Sequence, residues 1–203
     1  MAAAALRPEG AAPAEAQQTP LPSTDVTARL ARYMVTARDR ELPPEVVLAA
    51  KHRILDTLGA IVSGAQLKPG EMAIHFVRAQ GGTPEASVPV AGIRTSAINA
   101  AFAAGMFAHA DETDDFEPVT KAHPGCSAVP AAMSMAERED RSGQELLRAV
   151  TLGYDLGCRL LMALGPDHVR GTHRSAEGVS ATFSAAGAAG VGRLELGARS
   201  RAR

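Results

Sequence analysis

Ala97, Ala100, Ala101, Ala104 and Ala108 recur at helical spacing in the run SAINAAFAAGMFAHA, and the stretch from Ser175 to Gly192 is another small-residue helix pattern. A helix face with almost no side chain lets a second helix lie within roughly 8 Å of it. Aromatic residues make up only 3% of the chain and Trp is absent, so large rings cannot fill a core here. Close helix packing has to do that instead. The fold class expected on these grounds is all-α, a helical bundle.

The remaining periodicity agrees. Val26, Leu30, Tyr33, Met34 and Ala37 share a face in a helix over 25–38, with Ser23, Thr24 or Asp25 as N-cap. Pro43 and Pro44 open a second helix, which carries Val46, Val47, Ala50, Ile54, Leu55, Leu58, Ile61 and Val62 and stops at Gly64. Glu71 to Gln80 is a third, and Ala86 to Ala91 is a short strand or extended linker broken by Pro89. Ser96 caps a helix through about Ala110, and Ser127 to Arg138 is helical with Pro130 near its first turn. Ser142 and Glu145 form a capping box that opens a long helix ending at Leu164, before Gly165 and Pro166. Asp167 to Arg174 reads as a polar loop.

Three regions result: a disordered tail over 1–24, a helical domain over 25–195, and an irregular basic tail over 196–203. The tail RLELGARSRAR loses apolar periodicity after a helix whose small-residue faces call for further partners, which suggests a truncated or frame-altered end. The start, MAAAALRPEGAAPAEAQQTPLPS, lacks the basic n-region and apolar h-region of a secretory signal. No run approaches the roughly 18 apolar residues that span a bilayer.

With 21 basic and 22 acidic residues the formal charge is -1, and no basic block forms a face, so nucleic acid is not an expected partner. Cys126 and Cys158 have no metal-type spacing and make no disulfide framework. A soluble, cytoplasmic chain is expected, with no membrane partner.

Chemistry concentrates in HADETDDFEPVTKAHPGC, residues 109–126, where five carboxylates, two histidines and a lysine crowd together. Carboxylates this dense must be solvated, paired, bound to a metal or arranged around a substrate. Glu112, Asp114 and Asp115 can ligate a hard cation, orient a histidine or cap a helix. A metal set of His109, Asp111, Glu112, Asp115 and His123 fits neither zinc nor EF-hand spacing, so no metal is assigned. His123 and His173 are the acid/base candidates, because imidazole titrates near neutrality. Lys121, Arg170 and Arg174 are the nearest cations, of the type a carboxylate substrate needs. Cys126, after Pro124 and Gly125, is either a nucleophile with its pKa lowered at a helix N-terminus or a small packing residue.

HADETDDFEPVTKAHPGCSAVPAAMSMAERE, then SGQELLRAVTLGYDLGCRL and a later histidine, together with the earlier LPPEVVLAAKHRILDTLGAIVSG, resemble the MmgE/PrpD family from about residue 25 to residue 195. That family includes 2-methylcitrate dehydratase and cis-aconitate decarboxylase. The resemblance implies a metal-free, cofactor-free lyase or isomerase for small di- or tricarboxylic acids. It also implies a homodimer, with a helical domain and a smaller lid domain that this chain lacks. By position, Glu112 falls where the family's first acidic site residue, usually Asp, stands; His123 is the HPG histidine, and His173 is the one after the long helix. Asp114 and Asp115 match the paired acids, while Phe116 replaces a common Thr and the link to His123 is one residue longer.

The leading expectation is a dehydratase-like lyase with Glu112, His123 and His173 catalytic, and with Lys121, Arg174 and Asp115 binding substrate. Decarboxylation or epimerisation within the same family is the neighbouring alternative. A non-catalytic truncated helical module is the alternative from another class, and a metal-dependent hydrolase stands third.

Overall fold

The computed structural model describes residues 25–37 and 40–193. The expected tails over 1–24 and 196–203 lie outside the described residues, as does Arg38 at the expected end of the first helix. The order is α1 (Val26–Ala37), α2 (Pro44–Gly64), α3 (Lys68–Gln80), β1 (Ala86–Val88), β2 (Ile93–Thr95), α4 (Ala97–Ala108), α5 (Gly125–Arg138), α6 (Gly143–Leu164), α7 (Pro166–Gly171) and α8 (Ala176–Arg193). The fold is all-α, with one two-stranded antiparallel hairpin that pairs Ala86 with Thr95 and Val88 with Ile93.

The end signals act as their chemistry requires. Asp25 Oδ1 accepts the Ala28 N–H at 3.0 Å, and Ser96 Oγ accepts the Asn99 N–H at 3.3 Å. Both halves of the Ser142–Glu145 capping box are present on α6. Pro69 stands in the first turn of α3, where its fixed φ is tolerated, so that helix starts at Lys68, ahead of the expected Glu71.

Three local expectations are corrected. The short strand expected over Ala86–Ala91 is present over Ala86–Val88, but it pairs in a hairpin with Ile93–Thr95, a second strand too short to show alternation. Asp167 to Arg174 is not all loop: α7 occupies Pro166–Gly171 and buries Val169 against Ala122, Leu161 and Ala176. α5 begins at Gly125, ahead of the expected Ser127, which puts Pro130 deeper in the helix than expected. The lost N–H leaves the Cys126 carbonyl without its helical donor. That carbonyl faces Gly105 of α4, where an added Cβ would lie 3.1 Å from the oxygen.

Small residues set the packing. Ala97, Ala100, Ala103, Ala104, Phe107 and Ala108 of α4 are buried against Ile61, Ala73 and Val77 of α2 and α3. Ala128, Val129 and Ala132 of α5 form a second cluster with Ala149, Val150, Leu152 and Leu156 of α6 and Ala188 of α8. At the α6–α8 crossing a Cβ on Gly157 would collide with Ser184 Oγ, so the two backbones meet at a distance that only glycine permits. The polar loop 109–124 runs between α4 and α5, at the seam of these clusters.

Candidate active site

Carboxylates that accept hydrogen bonds from neighbouring donors hold the loop. Asp111 Oδ2 accepts from Ser63 Oγ of α2 at 2.8 Å and Asp111 Oδ1 from Thr113 Oγ1 at 2.8 Å. The Thr113 hydroxyl first, then that of Ser63, lowers the Asp111 pKa. Glu117 closes a tight turn: Oε2 accepts from the Thr120 N–H at 2.7 Å and its hydroxyl at 2.6 Å, and Oε1 from the Val119 N–H at 3.1 Å. Burial works to raise the Glu117 pKa, but these bonds from Thr120 and Val119 outweigh it and leave it lowered.

Asp115 joins three helices. Its Oδ1 accepts the Gly125 N–H at the start of α5 at 2.8 Å, its Oδ2 accepts from Tyr154 Oη of α6 at 2.7 Å, and Arg53 Nη1 of α2 lies 3.9 Å from Oδ2. Burial raises the Asp115 pKa, opposed by Tyr154, Gly125 and Arg53. A carboxylate at a helix N-terminus also meets the positive end of the helix dipole. Both of its oxygens therefore already accept from protein donors.

Asp114 points elsewhere. Its side chain is 0% exposed, and its Oδ1 lies 3.0 Å from His109 Nδ1 and 3.3 Å from His123 Nδ1. Its Oδ2 has no hydrogen-bond partner among the described residues. The His123 ring is edge-on to His109, with centroids 5.1 Å apart, and to Phe116 at 5.9 Å. His123 Nδ1 is buried although the side chain is 20% exposed, so the accessible part of the ring lies away from Nδ1.

Residues 28–199 match the MmgE/PrpD N-terminal domain. The chain belongs to the MmgE/PrpD family. It is 28% identical over 163 residues to a cis-aconitate decarboxylase-like protein, oryM, of Aspergillus oryzae (strain ATCC 42149 / RIB 40), a match covering 75% of this chain and 33% of that protein. The matched region thus spans about a third of that relative's length.

In this MmgE/PrpD domain the two polar segments meet. Arg170 of α7 donates from Nη2 to the Thr120 carbonyl at 2.9 Å and to Glu177 Oε1 at 3.2 Å, tying loop 109–124 to α7 and α8. Glu112, Lys121, His173 and Arg174 are all exposed, and the first three have left-handed backbone at φ 54, 58 and 58. Such a conformation in a residue with a Cβ costs on the order of 1 kcal/mol or more. His173 follows α7, and its N–H donates to the Arg170 carbonyl at 2.9 Å.

Cys126 does sit in the first turn of α5, but its pKa is raised, by burial first and by the Asp114 charge second. Its thiol donates to the His123 carbonyl at 3.1 Å. The helix terminus is outweighed, and the group is a protonated thiol without the activation a nucleophile needs. A ring nitrogen of His109, an Asp114 oxygen and Cys126 Sγ lie within 4.8 Å of one another, a donor set of the kind a divalent cation accepts. Of the residues from which a metal set was weighed, His109 and His123 come together, but Asp111 bonds Ser63 and Thr113, and Asp115 bonds Gly125 and Tyr154.

Sequence reasoning passed over Arg53 and Tyr154, and weighed His109 only as a metal ligand. His109 ends α4 and swings back five residues onto Asp114. The only available signal was a histidine at the start of a carboxylate cluster. Tyr154, 39 residues from Asp115, looked like any apolar-face residue of α6.

Proposed function

We propose that this domain supplies one wall of a lyase site for a small di- or tricarboxylic acid, dehydratase-like, with 2-methylcitrate as the representative substrate. The observation that carries the reading is His123, whose buried Nδ1 lies 3.3 Å from a wholly buried carboxylate, without a hydrogen bond to it, and whose accessible ring part is turned away from that side. Loss of water from a β-hydroxy acid needs a base to take the proton α to a carboxylate and an acid to protonate the departing hydroxyl. His123 and His173 fill those two roles, and Glu112 orients them. Lys121 and Arg174 offset the charge that grows on the substrate carboxylate as the C–H bond breaks. Asp115 serves the binding wall by fixing the loop that carries these groups, since its oxygens are engaged by Gly125 and Tyr154.

Decarboxylation is the second reading, favoured by the name of the Aspergillus relative. There a C–C bond breaks, CO2 leaves, and a histidine protonates the carbanion. Incubation of the 203-residue chain with 2-methylcitrate and with cis-aconitate, followed by product analysis, separates the two. Equal turnover by wild type, His123→Ala and His173→Ala removes the assignment. A homodimer is also proposed, through the apolar face described below for Phe76 and Phe102.

A further inference from the structure

We infer that a ring nitrogen of His109, the Asp114 carboxylate and the Cys126 thiolate form a binding site for one borderline divalent cation of the zinc type, beside the ring of His123. This site stands independently of the lyase reading.

The donors come from both ends of the polar loop and from its middle. His109 closes α4, Cys126 lies in the first turn of α5, and Asp114 lies between them. One ligand atom of each lies within 4.8 Å of the other two. Around a tetrahedral ion, with nitrogen or oxygen at about 2.0–2.1 Å and sulfur at about 2.3 Å, neighbouring donors stand roughly 3.3–3.6 Å apart. His109 Nδ1 and Asp114 Oδ1, at 3.0 Å, are already that close. The His109 side chain is 41% exposed, so its ring has room to turn and close the wider gaps.

Asp114 is the group that calls for a cation. Its side chain is 0% exposed, and its Oδ2 has no hydrogen-bond partner among the described residues. Its ion-pair partners there are two imidazoles, with no Lys or Arg. A buried carboxylate is costly unless it is paired or holds a metal. His123 Nδ1, 3.3 Å from the same carboxylate, is likewise buried without a hydrogen-bond partner. It lies outside the mutually close three, and three protein ligands leave one position for water. Nitrogen, oxygen and sulfur together favour zinc or cobalt over calcium and magnesium, which take oxygen. Without metal the Cys126 thiol donates to the His123 carbonyl, kept protonated by burial first and by the Asp114 charge second. On binding, the S–H proton passes to solvent and the sulfur–metal bond forms in its place. Thiolate and carboxylate then balance the two charges of the cation.

The test uses the 203-residue chain, stripped of metal by a chelator and titrated with zinc chloride alone, then with cobalt(II). One zinc per chain should bind, in preference to calcium or magnesium. His109→Ala and Cys126→Ser should each weaken zinc binding at least about 10-fold, a loss that even outer-shell partners cause. His75→Ala on α3 and Cys158→Ser on α6 should bind as the wild type does. Cobalt(II) on wild type and on Cys158→Ser should show thiolate-to-metal charge-transfer absorption in the near ultraviolet, and Cys126→Ser should lack it. No stoichiometric zinc, or uptake that neither His109→Ala nor Cys126→Ser weakens, overturns the inference. If Cys126→Ser does not fold, the exposed His109→Ala and the wild-type cobalt spectrum decide. Zinc bound in this way by a chain that turns over neither acid leaves the cation site standing and removes the lyase reading. Turnover without zinc uptake removes only the cation site.

Discussion

The Asp115 carboxylate accepts the Gly125 backbone N–H at 2.8 Å, closing the loop from α4 onto the first turn of α5. The position two residues after His123 therefore has no room for a side chain. A Cβ on Gly125 would collide with Asp115 Oδ1 and lie 2.6 Å from Thr57 Oγ1 and 2.9 Å from Tyr154 Oη. Gly125→Ala should destabilise the domain by about 1–3 kcal/mol in urea unfolding. Gly143→Ala, where an added Cβ meets nothing, should stay within about 0.5 kcal/mol of wild type.

Asp115 should also leave a mark on the pH dependence of stability. Its folded pKa is raised above the ordinary 3.8, so the folded state holds the proton more tightly than the unfolded state. The contribution of this group therefore falls as pH rises from about 3.8 through the folded pKa, and stays at its lower value above that. Lowered carboxylates such as Asp111 and Glu117 act oppositely and lose their stabilisation as pH falls. Unfolding free energies of wild type minus those of Asp115→Asn, measured from pH 3 to 7, should decline as pH rises.

Both thiols should be slow to react in the folded chain. Burial pushes Cys126 above the ordinary thiol range and Cys158 to about 11, with nearby carboxylates adding to each. Alkylation by iodoacetamide at pH 8 should run at least roughly 100-fold slower than in denaturant, read by mass spectrometry.

The proposed dimer has a specific face. Phe76 of α3 and Phe102 of α4 pack ring against ring at 5.3 Å, exposed beside Met72, Ile98 and Met106. Apolar side chains exposed side by side are what the proposed interface would bury. Phe102→Glu should convert a dimer to monomer in light scattering, with a change in unfolding free energy below about 1 kcal/mol.

Much of the fold was legible because its signals are local. Pro44, Ser96, and the Ser142–Glu145 box announced helix starts, and the small-residue faces of α4 and α8 announced close packing. β2 and α7 were not legible, having three and six residues, too few for a period to emerge. Of the site, the segment and its candidates were visible, but not how its acids divide. Whether Asp114 or Asp115 faces a histidine depends on the turns between His109 and Gly125, and on Tyr154 and Arg53 arriving from α6 and α2.

The central claim is that His123 moves the proton of a carboxylate substrate. Its most direct test is turnover of 2-methylcitrate and cis-aconitate by the 203-residue chain and by His123→Gln at matched folding. The account predicts turnover by the wild type that falls at least about 100-fold in the variant. Equal rates for the two proteins, or no turnover of either acid by the wild type, would contradict it.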